Sequence, residues 1–230
     1  MSDTLSTATP AAQPQREVHG YVLGVDLAAQ QDYTALCLLR ADRDKQHDPG
    51  ARPSPNQYAV VHLERWRNLA YPETCDRILA LHHQLSTARP RGNTTPRIVV
   101  DATGVGLPVL QLLRRSLPRA EGVLIHGGDR ELREPGTNVH RVPKRKLVSH
   151  LQVVLQTHRL KIAKELTLAQ TLADELRGFR VEITNSGHER YGNDVGQAMW
   201  REQDHDDLVL ATALAVWFLE STAGVPQVFV

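Results

Sequence analysis

The sequence is poor in cysteine, in long apolar runs and in net charge, and each shortage argues against a class of protein. Its two cysteines, Cys37 and Cys75, lie far apart in apolar or amphipathic stretches, which favours buried free thiols over a disulfide framework or a cysteine-rich zinc site. The longest apolar run, residues 208–219, is much too short to cross a bilayer. The 27 Lys and Arg nearly balance the 26 Asp and Glu, so the net charge of +1 gives no indication of a nucleic-acid partner. We therefore expect a soluble protein of a reducing compartment.

The length and the apolar content predict one globular domain. The chain has 230 residues, and 41% of them are hydrophobic, which is enough to bury a single core. Residues 1–18 are rich in Ser, Thr, Ala, Pro and Gln and lack an apolar centre, which is typical of a disordered leader. Residues 19–222 are assigned to the domain and residues 223–230 to a C-terminal tail.

The order of the apolar patterns predicts an α/β fold. Short apolar runs indicate three strands, followed by strand–helix units, two further helices, a hairpin and a last helix. Strands are expected at 21–25, 33–39, 58–63, 97–100 and 122–125, a hairpin at 179–184 and 188–191, and helices from 72, after 106, and over 144–158, 163–177 and 206–220. A three-strand meander followed by parallel strands predicts a mixed sheet flanked by helices, with a loop over 126–138.

Two of the predicted strands end in an aspartate. Asp26 follows the first strand and Asp101 follows the fourth. A carboxylate at the end of a buried strand is costly unless it caps a helix, starts a turn or binds a cation. Each residue alone is explained by a turn or a cap, but two such acids on neighbouring strands favour a cation between them.

A third acidic site opens the last helix. Asp206 and Asp207 stand directly before an apolar segment that predicts a buried helix. One acid at a helix N-terminus is explained by the helix dipole, but two acids exceed what a cap needs. Three acidic sites on rigid elements are the usual way to hold a pair of Mg²⁺ or Mn²⁺ ions, and such a pair catalyses phosphoryl displacement.

At this point the motifs carry a resemblance to a known family. The segments Gly24-Val-Asp-Leu-Ala28, Val100-Asp-Ala-Thr-Gly-Val-Gly106 and His205-Asp-Asp-Leu-Val209 resemble those of the nuclease domain of tailed-phage terminase large subunits. The segment Val142-Pro-Lys-Arg-Lys-Leu-Val148 resembles another part of the same domain. The similarity covers about residues 20–220 in the family's order, and it implies an RNase H-like fold.

The resemblance also implies a site and an activity. The family's acidic triad maps onto Asp26, Asp101 and Asp207, the last because relatives often have His-Gly-Asp in this motif; Asp206 remains an alternative ligand or a supporting acid. The implied enzyme is a metal-dependent endonuclease that cuts duplex viral concatemer DNA by a two-metal mechanism, in the host cytoplasm. The sequence has no GxxxxGK[ST] phosphate loop, so ATP-driven packaging is not expected from this chain. The alternatives are a free-standing nuclease, a prophage remnant or one half of a split machine, and in the last case a packaging ATPase or portal protein is the expected partner.

The basic residues form one cluster, at the start of a predicted helix. Lys144, Arg145 and Lys146 oppose the helix dipole there, which favours contacts with DNA phosphates over a purely solvated surface. Two other functions remain open. One is a resolvase-like nuclease acting on branched DNA, and the other is a catalytically silent domain that binds a packaging motor or portal.

Overall fold

One large mixed sheet organises the molecule. The computed structural model describes residues 16–27, 32–45, 55–87, 95–183, 189–192 and 206–222. Within those ranges the strands are β1 (Arg16–Asp26), β2 (Thr34–Asp44), β3 (Gln57–Trp66), β4 (Arg97–Asp101), β5 (Glu121–His126), β6 (Leu132–Arg133), β7 (Val139–Pro143), β8 (Leu160–Ile162), β9 (Arg180–Ile183) and β10 (Glu189–Gly192). The helices are α1 (Tyr71–Thr87), α2 (Gly106–Leu113), α3 (Lys144–Gln156), α4 (Ala169–Gly178) and α5 (Asp207–Thr222).

The strand order confirms the predicted meander with parallel strands. The eight-stranded sheet has the order β6-β7-β5-β4-β1-β2-β3-β8, and β9 and β10 form a separate antiparallel pair. Strands β1, β2 and β3 run antiparallel in succession. Strands β4, β5 and β7 join β1 in parallel, so their carboxyl ends lie at one edge of the sheet.

Several boundaries differ from the sequence prediction. Strand β1 begins at Arg16, three residues inside the predicted leader, because its first residues continue the antiparallel pairing with β2. Strand β2 likewise continues to Asp44. Helix α4 begins at Ala169 rather than at residue 163. The residues before it form turns with i→i+3 hydrogen bonds, from Leu166 N to Ala163 O (3.3 Å) and from Ala169 N to Leu166 O (2.9 Å). The rest of the predicted leader, His205 and the predicted tail lie outside the described residues.

Helices cover both faces of the sheet. Helices α3, α4 and α5 pack on one face, where the core includes Val22, Val99, Leu147, Leu172 and Leu214. Helices α1 and α2 pack on the other face, with a separate core around Ile78, Leu110 and the alternate residues of β1 and β4. Period-two alternation along a strand therefore decides which face each side chain occupies.

Helix α5 is buried, as its apolar sequence predicts. Residues 211–219 are all buried. Gly24 of β1 allows this close approach, because a Cβ atom at that position would stand 2.0 Å from the carbonyl oxygen of Ala211. The tight packing fixes the amino end of α5 next to the carboxyl end of β1. No helix in the described ranges is long and apolar enough to span a membrane.

Candidate metal-dependent nuclease site

The sheet places Asp26 and Asp101 side by side. Val25 of β1 pairs with Val100 of β4 in parallel register, so the next residue of each strand is an aspartate at the same edge. Alternation puts both aspartates on the face that α5 covers, because Val22 and Val99 contribute to the core on that face. The sequence prediction of two acids on neighbouring strands is thus reproduced by the fold.

Helix α5 brings two more acids to the same place. Asp207 is its first residue and is 8% exposed, the same fraction as Asp26, and Asp206 precedes it. The charges of Asp101, Asp206 and Asp207 all act on Asp26. We call Asp26, Asp101, Asp206 and Asp207 the acidic cluster. Three elements distant in sequence therefore converge on one site.

Burial and mutual repulsion make the acidic cluster electrostatically costly. Burial, and then repulsion from the rest of the cluster, raises the pKa of Asp26 well above its ordinary value, and Lys144 offsets only part of the rise. Burial also raises the pKa of Asp101, against hydrogen bonds from Thr103 and the charge of Lys144. Burial and the charge of Asp206 raise the pKa of Asp207 to about 7. Acids held in this state favour a bound cation.

The turn after β4 holds Asp101 in place. Its Oδ1 accepts a hydrogen bond from the backbone N–H of Thr103 (2.8 Å), and the hydroxyl of Thr103 accepts one from Ile125 N (2.8 Å). Gly104 has φ +56°, and a Cβ at Gly106 would stand 1.9 Å from the carbonyl oxygen of Asp101. The Thr-Gly-Val-Gly motif is therefore needed to start α2 directly behind this carboxylate.

Sequence reasoning missed two residues beside the cluster, Glu175 of α4 and Arg65 of β3. Glu175 Oε2 accepts hydrogen bonds from the backbone N–H groups of Leu208 (3.0 Å) and Val209 (3.2 Å), and its Oε1 accepts one from Arg65 Nη1 (2.9 Å). Burial raises the pKa of Glu175 to about 7, although Arg65 acts against the rise. A signal was present, because Glu175 lies within an apolar helical stripe that includes Leu172 and Leu176.

The predicted DNA-contacting residues divide between two surroundings. Lys144 Nζ lies 3.8 Å from a carboxylate oxygen of Asp206, at the acidic cluster. Arg145 is paired with Asp129 (2.9 Å) and Lys146 with Glu131, both from the segment after β5. The structure therefore brings Lys144 to the site and turns its two neighbours toward acidic residues elsewhere.

The donor set of the cluster fits a hard divalent cation. All four side chains offer carboxylate oxygens, the ligands that Mg²⁺ and Mn²⁺ prefer, and the two cysteines, Cys37 and Cys75, are buried free thiols. Among the residues that the structure describes, no three His, Cys, Asp or Glu side chains are already arranged to hold a metal ion. Binding an ion would therefore draw the carboxylates together.

A comparison with protein families decides the relationship. The family described as the terminase RNaseH-like domain matches residues 23–217, nearly the whole of the described fold. The chain belongs to this family. The matched range contains every member of the acidic cluster, so the family domain and the candidate site coincide.

Two similar proteins support the same assignment. The chain is 26% identical over 215 residues to terminase large subunits of Thermus virus P23-45 and Thermus phage G20c. The match covers 91% of this chain and 34% of each relative, so the chain spans about a third of their length.

Two solved structures share the fold. The crystal structure of the large terminase nuclease from thermophilic phage G20c matches with TM-score 0.52 and 23% identity, over 89% of this chain and 88% of that one. The Mn-soaked human cytomegalovirus terminase nuclease domain matches with TM-score 0.53 and 13% identity, over 90% and 87% of the two chains. The predicted RNase H-like fold is thereby confirmed.

Proposed function

We propose that this chain is a divalent-metal-dependent endonuclease that hydrolyses phosphodiester bonds of duplex DNA. The observation that carries the proposal is the acidic cluster. The ends of β1 and β4 and the start of α5 bring its buried or half-buried carboxylates together at the carboxyl edge of the sheet. Such an arrangement lowers stability unless a cation is bound, and it is therefore typical of a metal site. Membership of the terminase RNaseH-like family supports the proposed reaction class.

Within this proposal the carboxylates have distinct roles. Asp26, Asp101 and Asp207 hold the metal, and Asp206, which lies against Lys144, is a supporting acid. Bound Mg²⁺ or Mn²⁺, as a pair of ions, would supply an activated water and neutralise charge on the departing 3′ oxygen. The protein contributes the placement of the ligands near one another, through the ends of β1 and β4 and the start of α5.

The proposed substrate and partners are supported by the relatives. The curated relatives are terminase large subunits of phages, so we propose duplex viral concatemer DNA as the substrate and the host cytoplasm as the place of action. A packaging ATPase or a portal protein is the proposed partner. Lys144 is the residue best placed to meet a phosphate next to the metal ligands, because it already lies at the cluster.

A plasmid-nicking assay tests the activity. The wild type is expected to nick and linearise supercoiled DNA with Mn²⁺ or Mg²⁺ and to be inactive in EDTA. Asp101→Asn should be inactive with either ion, whereas Glu121→Gln, at a buried acid of the amino end of β5, should remain active. Metal-dependent cleavage that persists in Asp101→Asn would contradict the proposal, as would a folded wild type without any cleavage.

A second set of substrates tests the kind of nuclease. Linear, supercoiled and four-way DNA are compared at equal concentration of strands. Comparable cleavage of linear and supercoiled duplexes supports the proposed substrate, and cleavage confined to four-way DNA would contradict it. Comparing Asp206→Asn with Asp207→Asn then identifies the third ligand, and we expect the larger loss from Asp207→Asn because Asp207 is the more deeply buried.

A further inference from the structure

The amino end of α5 is capped by a side chain from another helix. An N-cap residue ordinarily uses its own side chain to accept hydrogen bonds from the N–H groups two and three positions later. Here the first intrahelical bond runs from Leu210 N to Asp206 O (2.9 Å), which makes Asp206 the N-cap residue. The N–H groups of Leu208 and Val209 donate to the carboxylate of Glu175, which belongs to α4.

Glu175 is itself held on a second side. Its other oxygen accepts a hydrogen bond from Arg65 of β3, and the Arg65 guanidinium lies over the ring of Tyr33, 4.2 Å from its centroid. Glu175 is 6% exposed, so the carboxylate is enclosed between the sheet and α5. A buried carboxylate with three charge-assisted or backbone hydrogen bonds is a rigid support.

This support acts next to proposed metal ligands. Leu208 follows Asp207 directly, and Arg65 lies in the row of the sheet that contains Asp26, because Asp26 pairs with Ala35 and Ala35 pairs with Arg65. Glu175 thus connects the end of α5 that carries Asp206 and Asp207 to the strands beside Asp26. The contact fixes the position of Asp206 and Asp207 relative to Asp26.

We propose that Glu175 is a positioning residue for the metal site, which caps α5 from outside and keeps Asp207 beside Asp26 and Asp101, where a bound ion can gather the carboxylates. Arg65 completes the support by neutralising the buried carboxylate. This inference rests on the proposed function. It adds a residue that touches neither the metal nor the DNA and that acts through the backbone of α5.

The test measures Mn²⁺ affinity by isothermal titration calorimetry on the full chain without DNA. Glu175→Ala removes the cap and should weaken Mn²⁺ binding by about tenfold or more, as loss of an outer-shell partner usually does. Glu175→Gln keeps an oxygen that accepts from the two N–H groups, and its affinity should stay within about threefold of the wild type. In the nicking assay at saturating Mn²⁺, Glu175→Ala should lower kcat and leave the KM for DNA unchanged.

A matched control separates positioning from simple loss of stability. Glu121 is also a buried acid, 3% exposed, bonded to Arg97 and to His140 (3.0 Å), but it has no contact with α5's amino end in the bonds that the structure records. Glu121→Ala should lower the melting temperature as Glu175→Ala does, yet bind Mn²⁺ like the wild type. Equal weakening in both variants, or unchanged affinity in Glu175→Ala, would overturn the inference.

The two proposals fail in different ways. If the wild type binds Mn²⁺ and Asp207→Asn does not, the proposed metal site stands, and the Glu175 variants then decide the positioning role alone. If the wild type does not bind Mn²⁺ in this cluster, the proposed function and the inference are both wrong.

Discussion

The two ends of α5 carry buried or half-buried acids in opposite electrostatic states. At the amino end, burial and the charge of Asp206 raise the pKa of Asp207 to about 7. At the carboxyl end, burial alone would raise the pKa of Glu220, but hydrogen bonds from Arg159 and Tyr58 outweigh it, and the pKa is lowered. Within one helix, the surroundings of Asp207 therefore disfavour the charged carboxylate, whereas those of Glu220 stabilise it.

The helix dipole predicts the reverse order. It favours negative charge at the amino end of a helix and disfavours it at the carboxyl end. Glu220 overcomes this with a bidentate pair to Arg159, with Nη1 and Nη2 at 2.8 and 3.0 Å from its two oxygens. Asp207 instead stands among other carboxylates. Burial and the neighbouring groups, not the dipole, decide the state of each acid, and acids kept together at a cost indicate a ligand site.

The largest expected effect is on the cleavage rate, when the removal of one charge at the amino end of α5 is compared with the removal of one at its carboxyl end. Asp207→Asn should lower metal-dependent cleavage by about 10³-fold or more, because metal ligation supplies several kcal/mol of transition-state stabilisation. Glu220→Gln should leave the rate within about threefold of the wild type, because the residue only holds the end of the helix. Initial rates of plasmid nicking at saturating Mn²⁺ measure both. Similar losses in the two variants would remove the distinction between the ends.

For the free energy of unfolding we expect the opposite: a substitution of Glu220 at the carboxyl end of α5 should cost more stability than one in the acidic cluster. Glu220→Ala leaves Arg159 buried without its carboxylate partner and should lower the free energy of unfolding by about 2 kcal/mol, or roughly 4–8 °C in Tm. Urea unfolding followed by circular dichroism checks this. Arg159→Met, which removes the cation instead, serves as the second variant. A Glu220→Ala protein as stable as the wild type would show that the carboxyl-end pair is not structural.

Neutralising one acid at the amino end should stabilise the protein when no metal is added. Asp26→Asn removes one of the repelling charges and should raise the unfolding free energy by about 1 kcal/mol, or roughly 2–4 °C in Tm. The measurement is thermal unfolding at pH 8 in EDTA. Added Mn²⁺ should raise the Tm of the wild type and not that of the variant. A variant less stable than the wild type in EDTA would contradict the repulsion that defines the acidic cluster.

The smallest expected effect concerns DNA affinity. Arg145→Ala should reduce the slope of log affinity against log salt by about 1 if Arg145 exchanges Asp129 for a phosphate. Arg119→Ala, an exposed cation at the amino side of β5, should leave the slope unchanged and is the control. Fluorescence anisotropy with Ca²⁺ in place of Mn²⁺ gives the slopes. An unchanged slope for Arg145→Ala would assign that residue to its ion pair alone.

The sequence predicted the parts of the fold that local patterns determine. Strands β1 to β5 and the buried α5 have clear apolar patterns, and the aspartates that end β1 and β4 follow those patterns directly. Strand β7 was missed because His140 and Arg141 interrupt its apolar residues, and β8 because it has only three residues and depends on pairing with β3.

The convergence of acids at the candidate site was predictable where residues follow rigid elements and not where distant residues meet. Asp26 and Asp101 could be proposed from strand ends and the pair Asp206 and Asp207 from a helix start, whereas the choice of Asp207 came from the family resemblance. For Glu175 the apolar helical stripe signals a buried acid, but its role could not be predicted, because that role depends on α4 lying against the amino end of α5, a contact 33 residues away along the chain. The ion pairs of Arg145 with Asp129 and of Lys146 with Glu131 could not be predicted for the same reason.

The most direct test of the central claim is the location of metal in crystals of the wild type soaked with Mn²⁺. An anomalous difference map should show density bound by Asp26, Asp101 and Asp207, at the amino end of α5, and none at Glu220. A map without a peak at these three carboxylates, at a Mn²⁺ concentration that supports cleavage, would contradict the account.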